Sequence, residues 1–189
     1  MINIYSPAKK IRKNPKNILN NIIYRWSPRS MDAKKLPESV LLPLFEAAKY
    51  APSAFNAQPE KFFYAQKGNK SFSEMLKLLF PANQKWCKNA SFLVALVSKK
   101  SFEHNGKFNQ THSFDTGAAW EAFAIEGTKR NLVVHAMSGF DYDKTKEYLK
   151  LDADSQVECM IAVGQPTKKI NNEKISLRKP LKEIAVKLK

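Results

Sequence analysis

The sequence predicts an α+β fold, and three observations carry that expectation. Apolar runs of strand length stand at 61–66, 91–98, 132–136 and 157–163. Helical patterns lie between them without the regular strand–helix repeat that builds a parallel sheet. The chain is 189 residues long and 43% hydrophobic, enough to bury a real core in one domain spanning 1–189.

The elements are justified in order. Asn14 as N-cap and Pro15 at the first helical position start a helix over Lys16 to Tyr24, with Ile18, Leu19, Ile22 and Ile23 at helical spacing. Pro28 ends it by biasing Ser27 away from helical geometry. A second helix runs from about Pro37 to Tyr50 with Leu41, Leu44, Phe45 and Ala48 on one face, and Pro43 marks a kink or a later start. The segment 51–59 is a loop bounded by two prolines. Lys61 to Gln66 is a strand, and Phe72 to Leu79 a short helix stopped by Pro81. Ser91 to Ser98 is a buried strand, and Lys99 to Thr111 a polar loop. The longest helix is Ser113 to Arg130, with Ala118, Ala119, Ala122, Phe123 and Ile125 inside and Asn131 as its terminator. Leu132 to Ala136 is extended, Asp143 to Leu149 helical, and Val157 to Val163 a strand. The basic tail from Thr167 is irregular, with a short helix after Pro180.

Composition excludes several classes. The longest apolar run, Phe92 to Val97, is far below the ~20 residues of a membrane-spanning helix. The N-terminal segment has no apolar core of a secretory signal, and Cys87 and Cys159 form no CxxC pair, so a reducing cytoplasm is expected. No two of the six glycines are closer than ten positions, which removes the glycine-rich phosphate loops. His104, His112 and His135 show no zinc spacing, so no metal site is expected. The net charge of +15 sits at the ends: residues 1–35 carry +8, residues 168–189 carry +6, and the middle +1. Such an excess suits a polyanion, but no nucleic-acid-binding motif accompanies it, and nucleic acid is the weaker alternative.

Three segments combine turn chemistry with polar side chains. In Arg25-x-Ser27-x-Arg29, alternate residues of an extended stretch point one way, which converges two guanidiniums and a hydroxyl on an anion. The loop Pro52-Ser53-Ala54-Phe55-Asn56-Ala57-Gln58-Pro59 can press backbone against a flat ring while its amides offer hydrogen bonds. Met137-Ser138-Gly139 lets backbone N–H groups approach a ligand closely.

In register, these segments resemble the FMN-dependent nitroreductase family. The stretches that carry the resemblance are RWSPRSMD (25–32), FEAAKYAPSAFNAQPEKFFYA (45–65), FDTGAAWEAF (114–123), NLVVHAMSGFD (131–141), ECMIAVGQP (158–166) and RKPLKEI (178–184), covering about residues 20–185. The resemblance implies a central, mostly antiparallel sheet flanked by helices. It also implies an intertwined homodimer, joined by the basic extensions 1–14 and 167–189, with FMN at the interface. It places Arg25, Trp26 and Ser27 at the phosphate and ribityl region and Arg29 near the N1/O2 side of the ring. Pro52, Ser53, Ala54 and Asn56 come from the partner subunit. Met137, Ser138 and Gly139 lie at the N5/O4 edge, and Arg178 with Lys179 closes on the phosphate. The implied activity passes electrons from NADH or NADPH through the flavin to a quinone, nitroaromatic or similar electron-poor acceptor, and requires no catalytic side chain. A specialised flavoprotein of the same fold is the alternative: a dehalogenase, a flavin-fragmenting enzyme or an FMN carrier. Glu60 stands where relatives carry Trp, and Ser138 and Asn131 where many carry Gly. Glu121 and Glu126 are read as structural or interface residues, and His135 as a packing residue.

Overall fold

The structure, a computed structural model, describes residues 2–14 and 16–188. Pro15, read above as the first helical residue, lies outside them. Among the described residues, four strands form one sheet: β1 (Glu60–Gln66), β2 (Phe92–Lys99), β3 (Val133–Met137) and β4 (Ser155–Gly164). Their order is β1-β2-β4-β3, and every neighbouring pair is antiparallel. The expected α+β class is therefore observed.

Strand β2 is buried over every residue but Lys99, because both faces of the sheet are covered. Its alternation divides the interior in two. Phe92, Val94 and Leu96 join Leu41, Leu44, Ala119, Phe123, Val134 and Ile161 on one side. Leu93, Ala95 and Val97 join Phe72, Met75, Val133, Met160 and Ala162 on the other.

Seven α-helices accompany the sheet among the described residues: α1 (Ser6–Ile11), α2 (Asn20–Ile23), α3 (Leu42–Ala48), α4 (Lys70–Leu78), α5 (Pro81–Cys87), α6 (His112–Lys129) and α7 (Tyr142–Tyr148). Helices α3 and α6 pack together over the first face. At Gly127 of α6, a Cβ would stand 2.4 Å from Val134 Cγ2 and 3.0 Å from Leu44 Cδ2. Only a glycine lets the helix lie this close to β3 and α3. Asn131 then turns the chain out of α6 with φ 61°, as its residue type predicts.

Some expectations need correction. The helix expected over 16–24 is present only as α2, one turn long. Asn14 does not cap it: its amide brackets Ile18 instead, accepting from the N–H at 2.8 Å and donating to the carbonyl at 2.6 Å. The Asn14 amide thereby takes up the Ile18 N–H and carbonyl, backbone groups a longer helix would need. Pro43 does mark a later start, since α3 begins at Leu42 after a 3₁₀ turn at Glu38–Val40. Pro81 does not merely stop a helix; it opens α5 from the first turn, where its missing N–H costs nothing. The 3₁₀ turn after Pro180 is found at Leu181–Glu183.

Two anchors position the segment that follows α2. The buried Trp26 indole donates to Ile4 O at 2.7 Å. Ile4 N–H in turn donates to Asn131 Oδ1 at 2.8 Å. Further on, Met31 bridges Pro166, Asp32 N–H donates to Gln165 O, and Thr167 N–H to Ser30 O. Residues 25–32 are thereby held in extended form along the β3 edge, against the chain leaving β4.

Candidate functional site

A cavity of about 710 Å³ opens along that edge. Its walls are the 25–30 segment, His135 and Ala136 of β3, the 173–178 segment, and Arg12 from the N-terminal arm. Five cations line it (Arg12, Arg25, Arg29, Lys174 and Arg178) against one carboxylate, Glu173. The volume is that of a cofactor-sized site, and the charge is that of a site for an anion with several oxygens.

Each guanidinium is held in its own way. Arg25 Nε meets Glu121 Oε1 at 3.2 Å, and its Nη1 lies 3.4 Å from Ser27 Oγ. Glu121, read above as a structural or interface residue, holds Arg25 from α6. Arg29 lies over the Trp86 ring at 5.8 Å. The Glu173 carboxylate accepts the backbone N–H groups of Arg29 and Ser30, both at 2.9 Å. Arg12 donates to the carbonyls of Ile23, Arg25 and Ser176. Burial first, then the charges of Arg178 and Arg25, push its pKa below the ordinary guanidinium value.

His135 Nδ1 donates to Pro28 O at 3.1 Å, and its ring packs on Trp86 at 4.7 Å between centroids. Burial chiefly lowers its pKa, and the Arg29 charge adds to this. A neutral imidazole committed to a backbone carbonyl is a packing residue, in line with the sequence reading.

The expected site residues divide into three groups. Arg25, Ser27, Arg29 and Arg178 come together in the cavity, and Trp26 also lines it although its indole is buried with Nε1 on Ile4 O. Met137, Ser138 and Gly139 do not line it. Met137 is buried with its sulfur 3.6 Å from Cys87 Sγ. Gly139 O accepts from Phe80 N–H and from Asn83 Nδ2, both at 3.0 Å. A Cβ on Gly139 would stand 2.5 Å from that amide. Asn83 Oδ1 also accepts from Trp86 Nε1 at 3.2 Å. Helix α5 therefore bridges the cavity to the Ser138–Gly139 turn through Trp86 and Asn83.

The third group is the loop carrying Pro52, Ser53, Ala54 and Asn56, which lies outside the cavity of its own chain. It is tightly built nonetheless. Buried Asp115 accepts from Ala54 N–H at 3.1 Å and from Thr111 Oγ1 at 3.0 Å. Ser53 Oγ accepts from Gln58 N–H at 3.0 Å, and Phe55, Asn56 and Gln58 all take positive φ. The Phe55 ring is left 86% exposed. Lys179 is exposed and away from the cavity wall. Arg12, Glu173 and Lys174 were not singled out from sequence; the concentration of charge at the two chain ends was the available signal.

Neither thiol is poised for chemistry, since burial pushes both Cys87 and Cys159 up to about 12. The described residues contain no cluster of metal-ligating side chains and no helix long and apolar enough to cross a membrane.

The fold is thus an antiparallel sheet covered by helices, with an arginine-lined cavity at its edge. A profile of the nitroreductase family matches residues 22–165, and the chain belongs to that family. A solved structure described as an oxidoreductase containing FMN is 35% identical, with a TM-score of 0.88 over 98% of this chain and 96% of that one. A protein from Desulfovibrio desulfuricans, named as a nitroreductase in complex with FMN, is 20% identical, with a TM-score of 0.76 over 94% and 98%. A nitroreductase family protein from Streptococcus pneumoniae is 20% identical, with a TM-score of 0.73 over 87% and 96%. No curated protein matches the chain. FMN, the cofactor expected from the sequence, is the one the first two of these structures carry.

Proposed function

We propose that the chain is an FMN-dependent oxidoreductase that takes electrons from NADH or NADPH and delivers them to a quinone, nitroaromatic or similar electron-poor acceptor. The observation that carries this reading is the cavity itself. Arg12, Arg25, Arg29 and Arg178 converge on one space, and the buried Arg12 Nε has no partner within the protein. That donor set fits a phosphate monoester and an electron-rich ring edge. When bound, FMN supplies two-electron chemistry that no side chain of this protein can supply.

The chain's own residues bind, orient and exclude. Arg25, Ser27 and Arg178 hold the phosphate end, the first already oriented by Glu121. Arg29, set on the Trp86 face, holds the carbonyl side of the ring and favours negative charge there. The Ser138–Gly139 turn sits one α5 side chain away and borders the opposite ring edge. His135 moves no proton, because its Nδ1–H is committed to Pro28 O.

The loop 52–56 serves a second copy. It is held by its own hydrogen bonds, it carries an exposed Phe55, and it lies outside the arginine cavity of its own chain, so its place in the site is across a homodimer interface. The working unit is then a cytoplasmic homodimer with two equivalent sites, one domain per chain. Steady-state oxidation of NADH or NADPH with a simple quinone tests the reading. Turnover that requires FMN is expected; absence of both flavin binding and turnover contradicts it.

A further inference from the structure

Arg12 stands where α1 ends, and its own N–H donates to Ala8 O at 2.8 Å. From there its guanidinium reaches two segments remote in sequence. Nη1 donates to Ile23 O at 2.9 Å and to Arg25 O at 2.7 Å, and Nη2 to Ser176 O at 3.2 Å. We propose that Arg12 is a positioning residue of the anion cavity: by clasping the backbone at Arg25 and at Ser176, it sets the spacing of Arg25 and Arg178 for a phosphate. The proposal rests on the flavin reading above and gives Arg12, which that reading counts only among the cavity cations, a positioning role.

Three features support the clasp. First, the planar fork spans three carbonyls at once, a geometry that a lysine ammonium on its flexible stem does not reproduce. Second, the strand of chain it grips is fastened again three residues earlier, where Glu173 accepts from Arg29 and Ser30. Residues 173–176 are thus pinned at both ends to the 25–30 segment, through Glu173 and through Arg12, and Arg178 follows two residues later. Third, Arg12 and Arg178 line both the anion cavity and a neighbouring apolar cavity of about 500 Å³ walled by Ile11, Ile18, Ile22, Ile23 and Leu177. A shift of Arg12 therefore disturbs the wall between the two. Crowding of Arg12 by Arg25 and Arg178 is a standing repulsion that a bound dianion relieves, which couples the clasp to occupancy.

The test compares FMN with riboflavin, which lacks the phosphate. Binding of each to flavin-stripped wild type, Arg12→Ala and Arg12→Lys is followed by fluorescence quenching. The proposal predicts about tenfold weaker FMN binding in Arg12→Ala, an unchanged riboflavin affinity, and an Arg12→Lys variant that resembles Arg12→Ala although it keeps the charge. It further predicts that Arg12→Ala costs less in an Arg178→Ala background, because part of its effect passes through Arg178. Equal losses for both flavins would mean general loosening and overturn it. So would full recovery in Arg12→Lys, or wild-type FMN affinity in Arg12→Ala. A wild-type protein that binds neither flavin overturns the flavin reading itself, a result distinct from the others.

Discussion

The Glu173 carboxylate accepts the backbone N–H of Arg29 at 2.9 Å, and so does for that segment what a bound anion does for an exposed pair of amides. It also fixes the start of the C-terminal segment across the cavity, and the consequence is measurable. Glu173→Ala removes both acceptors, whereas Glu173→Gln keeps a carbonyl oxygen that can accept one of the two N–H groups. Tryptic cleavage after Lys174 and Arg178 should be fastest in the alanine variant and intermediate in the glutamine variant. Equal rates in all three proteins would remove Glu173 from this role.

Arg25 and Arg29 are assigned to opposite ends of the same ligand. Arg25→Ala should weaken FMN binding about ten- to a hundredfold, the cost of a charge-assisted contact. Arg29→Ala should act mainly on the potential of the bound flavin, because loss of a cation near the ring disfavours added negative charge. Isothermal titration and a redox titration of the two variants separate these effects. Wild-type values in both would exclude the cavity as the flavin site.

Gly127 is a point of close approach between α6 and the Val134 and Leu44 side chains of β3 and α3. Gly127→Ala should destabilise the protein by about 1–3 kcal/mol through overpacking against Val134 and Leu44. This is opposite in sign to the usual effect of alanine in a helix. Val134 is β-branched and set in a strand, so it has little room to turn aside. A urea denaturation midpoint at or above wild type would show that the contact relaxes freely.

Glu60 opens β1, where relatives carry tryptophan by the resemblance drawn above. Burial chiefly raises its pKa above the ordinary 4.5, and the charge of Asp115 adds to this while a backbone hydrogen bond opposes it. The folded protein therefore holds this proton more tightly than the unfolded chain does. The associated stability is present below the ordinary glutamate range and is lost as pH rises through the folded value. Glu60→Gln should match wild type in urea midpoint at acid pH and exceed it at neutral pH. A variant less stable than wild type at neutral pH would contradict the sign.

Much of the fold was legible because strong local signals agreed with the tertiary context. The run at 91–98 and the 160–163 part of the run at 157–163 are buried on both sheet faces, and the 113–130 pattern became α6 within one residue at each end. The proline signals were harder. Pro81 suits a helix start and a helix stop equally well on local grounds, and only the contacts that α5 makes through Asn83 to Gly139 and through Trp86 to His135 decide it. The 16–24 helix was a fair reading of periodic isoleucines, but Ile18 and Ile22 face an open groove and remain half exposed, so little burial drives helix formation there. At the site, Arg25, Ser27, Arg29 and Arg178 were legible as cations and a hydroxyl in motif register. Arg12 and Glu173 were not, because their roles depend on backbone groups more than a hundred residues away or in another segment.

The central claim is that the arginine cavity holds FMN, and the visible absorption spectrum of the purified protein tests it most directly, with mass identification of whatever denaturation releases. The account predicts a yellow protein that yields about one FMN per chain. A colourless protein that also takes up no added FMN would contradict it.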